Sequence, residues 1–172
     1  TRCETIHDLC DYINKLSVRE IPVEKITCEN QMFCTSIQEA YILGRQQEFY
    51  GNTNMSHFYL EVKHNLSSQK IEEAIRKLIR RHSMLRSIFE NSRRVVLGED
   101  IADTFFLKTL EEKSLESHRK AANQKVNEPD KWPLFEICNI KERDSYIAAI
   151  DIDMLIVDGF SLSVLVRDFK SL

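Results

Sequence analysis

The sequence predicts an α/β layered domain, a mixed sheet covered by helices, and three observations predict it. Residues 57–63 alternate strictly, with Phe58, Leu60 and Val62 on one side and His57, Tyr59, Glu61 and Lys63 on the other, which is the period of a half-buried strand. Ile71, Ala74, Ile75, Leu78 and Ile79 recur at helical spacing among charged residues, the apolar stripe of an amphipathic helix. Residues 134–140 and 146–152 are strand-like runs joined by the polar turn Lys141–Ser145, and such a hairpin excludes a purely parallel sheet.

Taken in order, Ile6, Leu9, Cys10, Ile13 and Leu16 share one helical face, and Thr5 with Asp8 has the spacing of a capping box. Residues 17–34 contain Pro22 and no clean period, so they read as a linker or an extended covering segment. Thr35 and Gln38 repeat the capping-box spacing, Ile37, Ala40 and Tyr41 supply an apolar face, and Gly44 can end that short helix. Gly51–Asn54 is turn chemistry ahead of the strand at 57–63. Ser67 or Ser68 caps the helix bearing the Ile71–Ile79 stripe. Residues 84–89 and 104–107 look like further strands, and 110–126 like a charged helix stopped by Asn127–Pro133. After the hairpin, Met154–Val157 is apolar, Asp158-Gly159 breaks it, and Leu162, Leu165, Val166 and Phe169 begin a last amphipathic helix.

Composition narrows the function classes. A chain of 172 residues can bury a core of its own. Its net charge of -3, with no basic run beyond Arg80-Arg81 and Arg93-Arg94, predicts no nucleic-acid partner. No apolar stretch nears the roughly 20 residues that span a bilayer, and residues 1–4 lack a signal-peptide core. A cytoplasmic protein is expected, without a membrane partner. Cys3, Cys10, Cys28, Cys34 and Cys138 are odd in number and never spaced C-x-x-C, which predicts reduced structural thiols and no metal site.

Three stretches carry a family resemblance. Ile37-Gln38-Glu39-Ala40-Tyr41-Ile42-Leu43-Gly44-Arg45 resembles the Q-x-A-Y-x-x-G-R opening of heterocyclization domains of nonribosomal peptide synthetases. Arg81-His82-Ser83-Met84-Leu85-Arg86 resembles the R-H-x-M-L-R element shared with ordinary condensation domains. Asp153-Met154-Leu155-Ile156-Val157-Asp158-Gly159-Phe160-Ser161 is similar to D-x-x-x-x-D-x-x-S, the element that separates the two. Each pattern alone is weak; their order and separation together are specific, and they cover roughly residue 33 to the C-terminus.

Condensation domains and their acetyltransferase relatives carry H-H-x-x-x-D-G at the third stretch, with the second His at the reaction centre. Here those His positions are Asp153 and Met154. A thioether cannot take a proton from an attacking amine, so neither His-dependent condensation nor simple acyl transfer fits. The resemblance implies condensation of an upstream acyl thioester with carrier-bound Cys, Ser or Thr, then cyclodehydration to a thiazoline or oxazoline. Loss of water needs one proton delivered to oxygen and one removed from nitrogen, which is carboxylate work. Asp153 and Asp158 are the candidate catalytic residues, with structural or positioning roles as the competing reading, since a buried carboxylate needs a partner. In condensation relatives the aspartate aligned with Asp158 pairs with an arginine, and Arg45, Arg81 and Arg86 each qualify as such a partner. Ser161 stands where a helix cap would stand. His82 reads as a packed or capping histidine, His57 and Tyr59 as solvent-facing residues of a polar strand face, and Cys34 as an unactivated thiol.

The resemblance also implies a chloramphenicol-acetyltransferase-like half, the N-terminal lobe of a two-lobed domain. Residues 1–16 resemble the last helix of an upstream carrier protein, with an ordinary amphipathic helix docked on the lobe as the equal alternative; 17–34 would be the linker, and 35–172 the lobe. Catalytic residues would also come from the other lobe, and this piece alone would be inactive. The domain would bind no cofactor itself; its substrates would ride on phosphopantetheine arms of upstream and downstream carrier proteins, beside neighbouring synthetase domains. The competing class is a non-catalytic, condensation-like module that docks carriers or serves as a scaffold.

Overall fold

The computed structural model describes residues 31–45, 57–111 and 115–172. The expected helix over 1–16 and most of the expected linker lie outside the described residues. The end of that linker is a strand, β1 (Gln31–Phe33). There follow α1 (Ser36–Gly44), β2 (His57–His64), α2 (Ser68–Arg81), β3 (Ser87–Glu90), β4 (Arg93–Val96), β5 (Lys108–Glu111), α3 (Leu115–Gln124), β6 (Phe135–Glu142), β7 (Ser145–Asp153) and α4 (Gly159–Ser171).

Local chemistry explains most starts and stops. Thr35 caps α1 through a complete capping box with Gln38, satisfying amides that the first helical turn leaves free. Ser67 caps α2 by accepting from the Lys70 amide. β6 and β7 pair antiparallel from Phe135–Ile152 to Glu142–Ser145, and Arg143 takes a left-handed φ of 39° in their turn. The strands expected at 84–89 and 104–107 are displaced. Residues Ser83–Arg86 wind into a 3-10 turn before β3, and Glu99–Thr104 form another before β5. Apolar runs this short do not distinguish a tight turn from a strand. The charged helix is likewise shorter than expected, because Leu110 belongs to β5.

Two mixed-length sheets result. One has the order β1-β4-β3, and the other β2-β7-β6-β5. In the larger sheet β5 runs parallel to β6 through the α3 crossover, while β2-β7 and β7-β6 are antiparallel, so the sheet is mixed as expected. Both of its faces are covered. Phe58, Phe135, Ile137, Ile150 and Ile152 pack with the α2 stripe of Ile71, Ile75, Leu78 and Ile79. Cys138, Ile140 and Ala149 form a second core with Tyr59, Leu110, Leu115 and Ile147. His57 and Tyr59 are therefore half-buried, not solvent-facing: Tyr59 packs against His118 of α3, and His57 bonds Asp151. Strand alternation tells which residues share a face but not whether a second layer covers it.

Ile79 is fully buried at the centre of the main core. Ile79→Ala is expected to cost about 2–5 kcal/mol, read as a lowered denaturation midpoint at unchanged denaturant slope.

Candidate functional site

The site grows from one buried charge. Asp153 ends β7 and is 0% exposed. Its Oδ1 lies 2.5 Å from Arg45 Nη2 and accepts from the Leu155 amide at 2.9 Å, while its Oδ2 accepts from Asn127 Nδ2 at 3.1 Å. Arg45 Nη1 also donates to the Asn127 carbonyl at 3.2 Å. A carboxylate removed from water costs several kcal/mol unless paired and hydrogen-bonded, and here both oxygens are engaged. Both Asp153 oxygens are thus committed to fixing the loop that follows β7.

Helix α1 supplies that clamp in register. Gln38, Tyr41 and Arg45 recur at i, i+3 and i+7, one helical face. Gln38 Nε2 donates to the Leu155 carbonyl at 2.9 Å, the Tyr41 hydroxyl lies 4.0 Å from Met154 Sδ, and Arg45 takes Asp153. The first of the three sequence stretches is therefore a strip that grips the third. Ile37, expected on the apolar face, is 65% exposed.

Beyond the clamp, Leu155, Ile156 and Val157 are buried and anchor the connection to α4. Asp158 then emerges exposed as the cap of α4, accepting from the Ser161 amide at 2.7 Å. Hydrogen bonds from the Ser161 side chain first, and its backbone second, hold the Asp158 carboxyl below the usual range. The cap expected at Ser161 thus lies three residues earlier, and Ser161 is its donor. The pairing with arginine also falls on Asp153, not on Asp158.

Arg81, His82 and Met84 of the second stretch meet Val157, Phe160 and Ser161 of the third across a cleft of about 320 Å³. Its wall is fixed by Asp168 of α4, which is 4% exposed. His82 Nε2 lies 3.0 Å from Asp168 Oδ2 and Arg81 Nε 3.2 Å, with Arg167 Nη2 3.0 Å from Oδ1. Burial pushes the Asp168 carboxyl up, yet Arg167, Arg81 and His82 together hold it below the usual range. Arg86 is buried and serves backbone carbonyls, with Nε 3.1 Å from Ile79 O and Nη1 on Leu97 O. Of the three arginines, Arg45 alone pairs an aspartate of the third stretch among the described contacts. Burial first, then Glu39, raises the Cys34 thiol, so it is no activated nucleophile. Asn127 and Asp168 lay outside every sequence pattern, and only the fold brings them to their partners.

Comparison with known proteins follows the same outline. A family model described as "Condensation domain" matches residues 29–172. Bacitracin synthase 1 of Bacillus licheniformis is 29% identical over 149 residues, 80% of this chain and 3% of its own length. The EpoB NRPS cyclization-docking bidomain from Sorangium cellulosum superposes with a TM-score of 0.76 at 22% identity, over 96% of this chain and 36% of that one. The X-domain in complex with OxyB from teicoplanin biosynthesis gives a TM-score of 0.70 at 15% identity, over 85% and 33%. This chain spans only a small fraction of its curated relative and about a third of these solved chains. Among the described residues, no helix is long and apolar enough to cross a membrane.

Three outcomes follow from the geometry. Arg45→Ala leaves the Asp153 charge unanswered and is expected to cost about 3–5 kcal/mol in equilibrium unfolding, whereas Asp158→Ala leaves a folded protein by circular dichroism. Asp168 has a folded pKa below its unfolded one, so its contribution is full above the unfolded value, about 3.9, and fades as pH falls through the folded value. Thermal unfolding of Asp168→Asn is therefore expected to show a deficit at neutral pH that closes in acid below about pH 4.

Proposed function

The chain belongs to the condensation-domain family, and from that premise we propose that it forms part of a heterocyclization domain of a nonribosomal peptide synthetase. The observation that carries the reading is the third stretch. Asp153 and Met154 stand where the resemblance puts the histidines of ordinary condensation domains, and Met154 offers only a thioether, half-buried beside Tyr41. The fold likeness to a cyclization-docking bidomain supports the same direction.

The chemistry has two steps. The amine of a carrier-bound Cys, Ser or Thr attacks an upstream thioester carbonyl; the C–N bond forms, the C–S bond breaks, and the thiol departs with the amine's proton. The side-chain thiol or hydroxyl then adds to the new amide carbonyl. The resulting hydroxyl leaves as water with a delivered proton while the nitrogen loses its own, closing the C=N bond. We assign proton acceptance in these steps to Asp158, which is exposed and next in sequence to Val157 of the cleft lining. The Ser161 hydrogen bonds keep it ionised and weakly basic, so the donor for the departing oxygen is assigned to the rest of the two-lobed domain. Asp153 positions the loop that carries it. The carriers, their phosphopantetheine arms, the second lobe and the neighbouring synthetase domains complete the proposed machinery.

A second reading has one observation in its favour: the likeness to an X-domain held in complex with OxyB agrees with a condensation-like module that only docks partners.

Mass spectrometry of a reconstituted reaction separates the two. The native synthetase receives an acyl-loaded upstream carrier and, in turn, Cys-, Ser- and Thr-loaded downstream carriers. A condensed product lighter by one water, lost in Asp158→Ala, is the expected result. An amide that keeps its water would reduce the reading to condensation alone, and no product with any of the three amino acids would leave the docking module.

A further inference from the structure

The opposite face of the large sheet carries chemistry that the proposed reaction does not use. Glu136 and Cys138 stand two apart on β6, so both project toward the layer that α3 covers. His118 of α3 comes down on them, with Nε2 3.3 Å and Nδ1 3.8 Å from Cys138 Sγ. One donor atom from each of the three lies within 4.8 Å of the others. We propose that His118, Glu136 and Cys138 bind a divalent zinc-class cation that pins α3 to the sheet.

The donor set decides the class of cation. Imidazole, thiolate and carboxylate together suit zinc, whereas calcium and magnesium take oxygen. Zinc–sulfur and zinc–nitrogen bonds of about 2.3 and 2.1 Å in a tetrahedron put sulfur and nitrogen about 3.6 Å apart. The observed 3.3 Å is close to that edge. The Glu136 oxygen, within 4.8 Å of the other two donor atoms, would have to close on them to complete three protein ligands, leaving the fourth tetrahedral position to water.

The surroundings are those of a held ligand set. Lys125 Nζ donates to Glu136 Oε2 at 2.7 Å, which orients the carboxylate and leaves Oε1 to the cation. The Tyr59 ring packs against His118 with centroids 6.2 Å apart. Cys138 is 1% exposed, so its sulfur is no surface nucleophile and faces only this covered layer.

The test uses the protein in its native polypeptide context, stripped with a chelator and refilled with zinc or cobalt(II). One equivalent bound through His118 and Cys138, a zinc-dependent rise in Tm, and a thiolate-to-cobalt charge-transfer band are expected. Cys138→Ser and His118→Gln should abolish all three, and Lys125→Ala should weaken zinc affinity about 10–100-fold. A folded wild type that gives no thiolate–cobalt band overturns the proposal, whatever the variants do. So does binding that survives Cys138→Ser, since the thiol and imidazole would then share only a hydrogen bond.

Discussion

Asp153 has to be answered wherever the chain goes, because a carboxylate at 0% exposure has no water to fall back on. The answer recruits pieces far apart in sequence: Arg45 lies 108 residues away and Asn127 26 residues away. For Arg45 to reach, α1 must lie along the loop after β7, and Gln38 and Tyr41 then fall into contact with Leu155 and Met154. For Asn127 to reach, the segment after α3 must return beneath the same loop. One desolvated charge thus fixes a helix, a crossover exit and the connection to α4, although replacing such a network with apolar groups often costs little in stability. What the charge supplies is a defined loop position, and that position sets the lip of the cleft.

The two aspartates of the same stretch have opposite physical fates. Asp153 is buried with both oxygens committed, whereas Asp158 is exposed and committed only to the first turn of α4. Between them Leu155, Ile156 and Val157 are sunk in the core, so the exposed carboxylate cannot drift far from the fixed one. The buried run therefore fixes where the cap of α4 stands. The His82–Asp168 contact does the same for the far wall, tying the end of α2 to α4.

Legibility in the sequence followed the range of the interaction. The Thr35 capping box, the Ile71–Ile79 stripe, the 57–63 alternation and the β6–β7 hairpin are local, and each stands where local rules put it. Residues 84–86 failed because a short apolar run also fits a 3-10 turn. β4 was invisible because Arg93 and Arg94 read as a basic pair, yet they form a strand through β1 and β3. Arg45 was one of three equal candidates until the fold chose it. Asn127 and Asp168 carry no local signature, because their importance lies wholly in partners that the chain brings from elsewhere. The mutual placement of His118, Glu136 and Cys138 is hidden for the same reason, with no paired-ligand spacing to announce it.

The covered second face explains why that cluster stands apart. When α3 closes over a strand face that alternation alone reads as solvent-facing, its polar groups come to lie in a partly covered layer, where each has a partner. Glu61 takes Arg119 and Tyr59, His57 takes Asp151, and Glu136 takes Lys125. These are charge-assisted or strong hydrogen bonds. Cys138 and His118 have in each other a weak donor and an adaptable acceptor, a poor match by that standard. A partly covered polar layer otherwise matched by charge, with its softest pair beside a carboxylate, is the environment in which a cation completes the match.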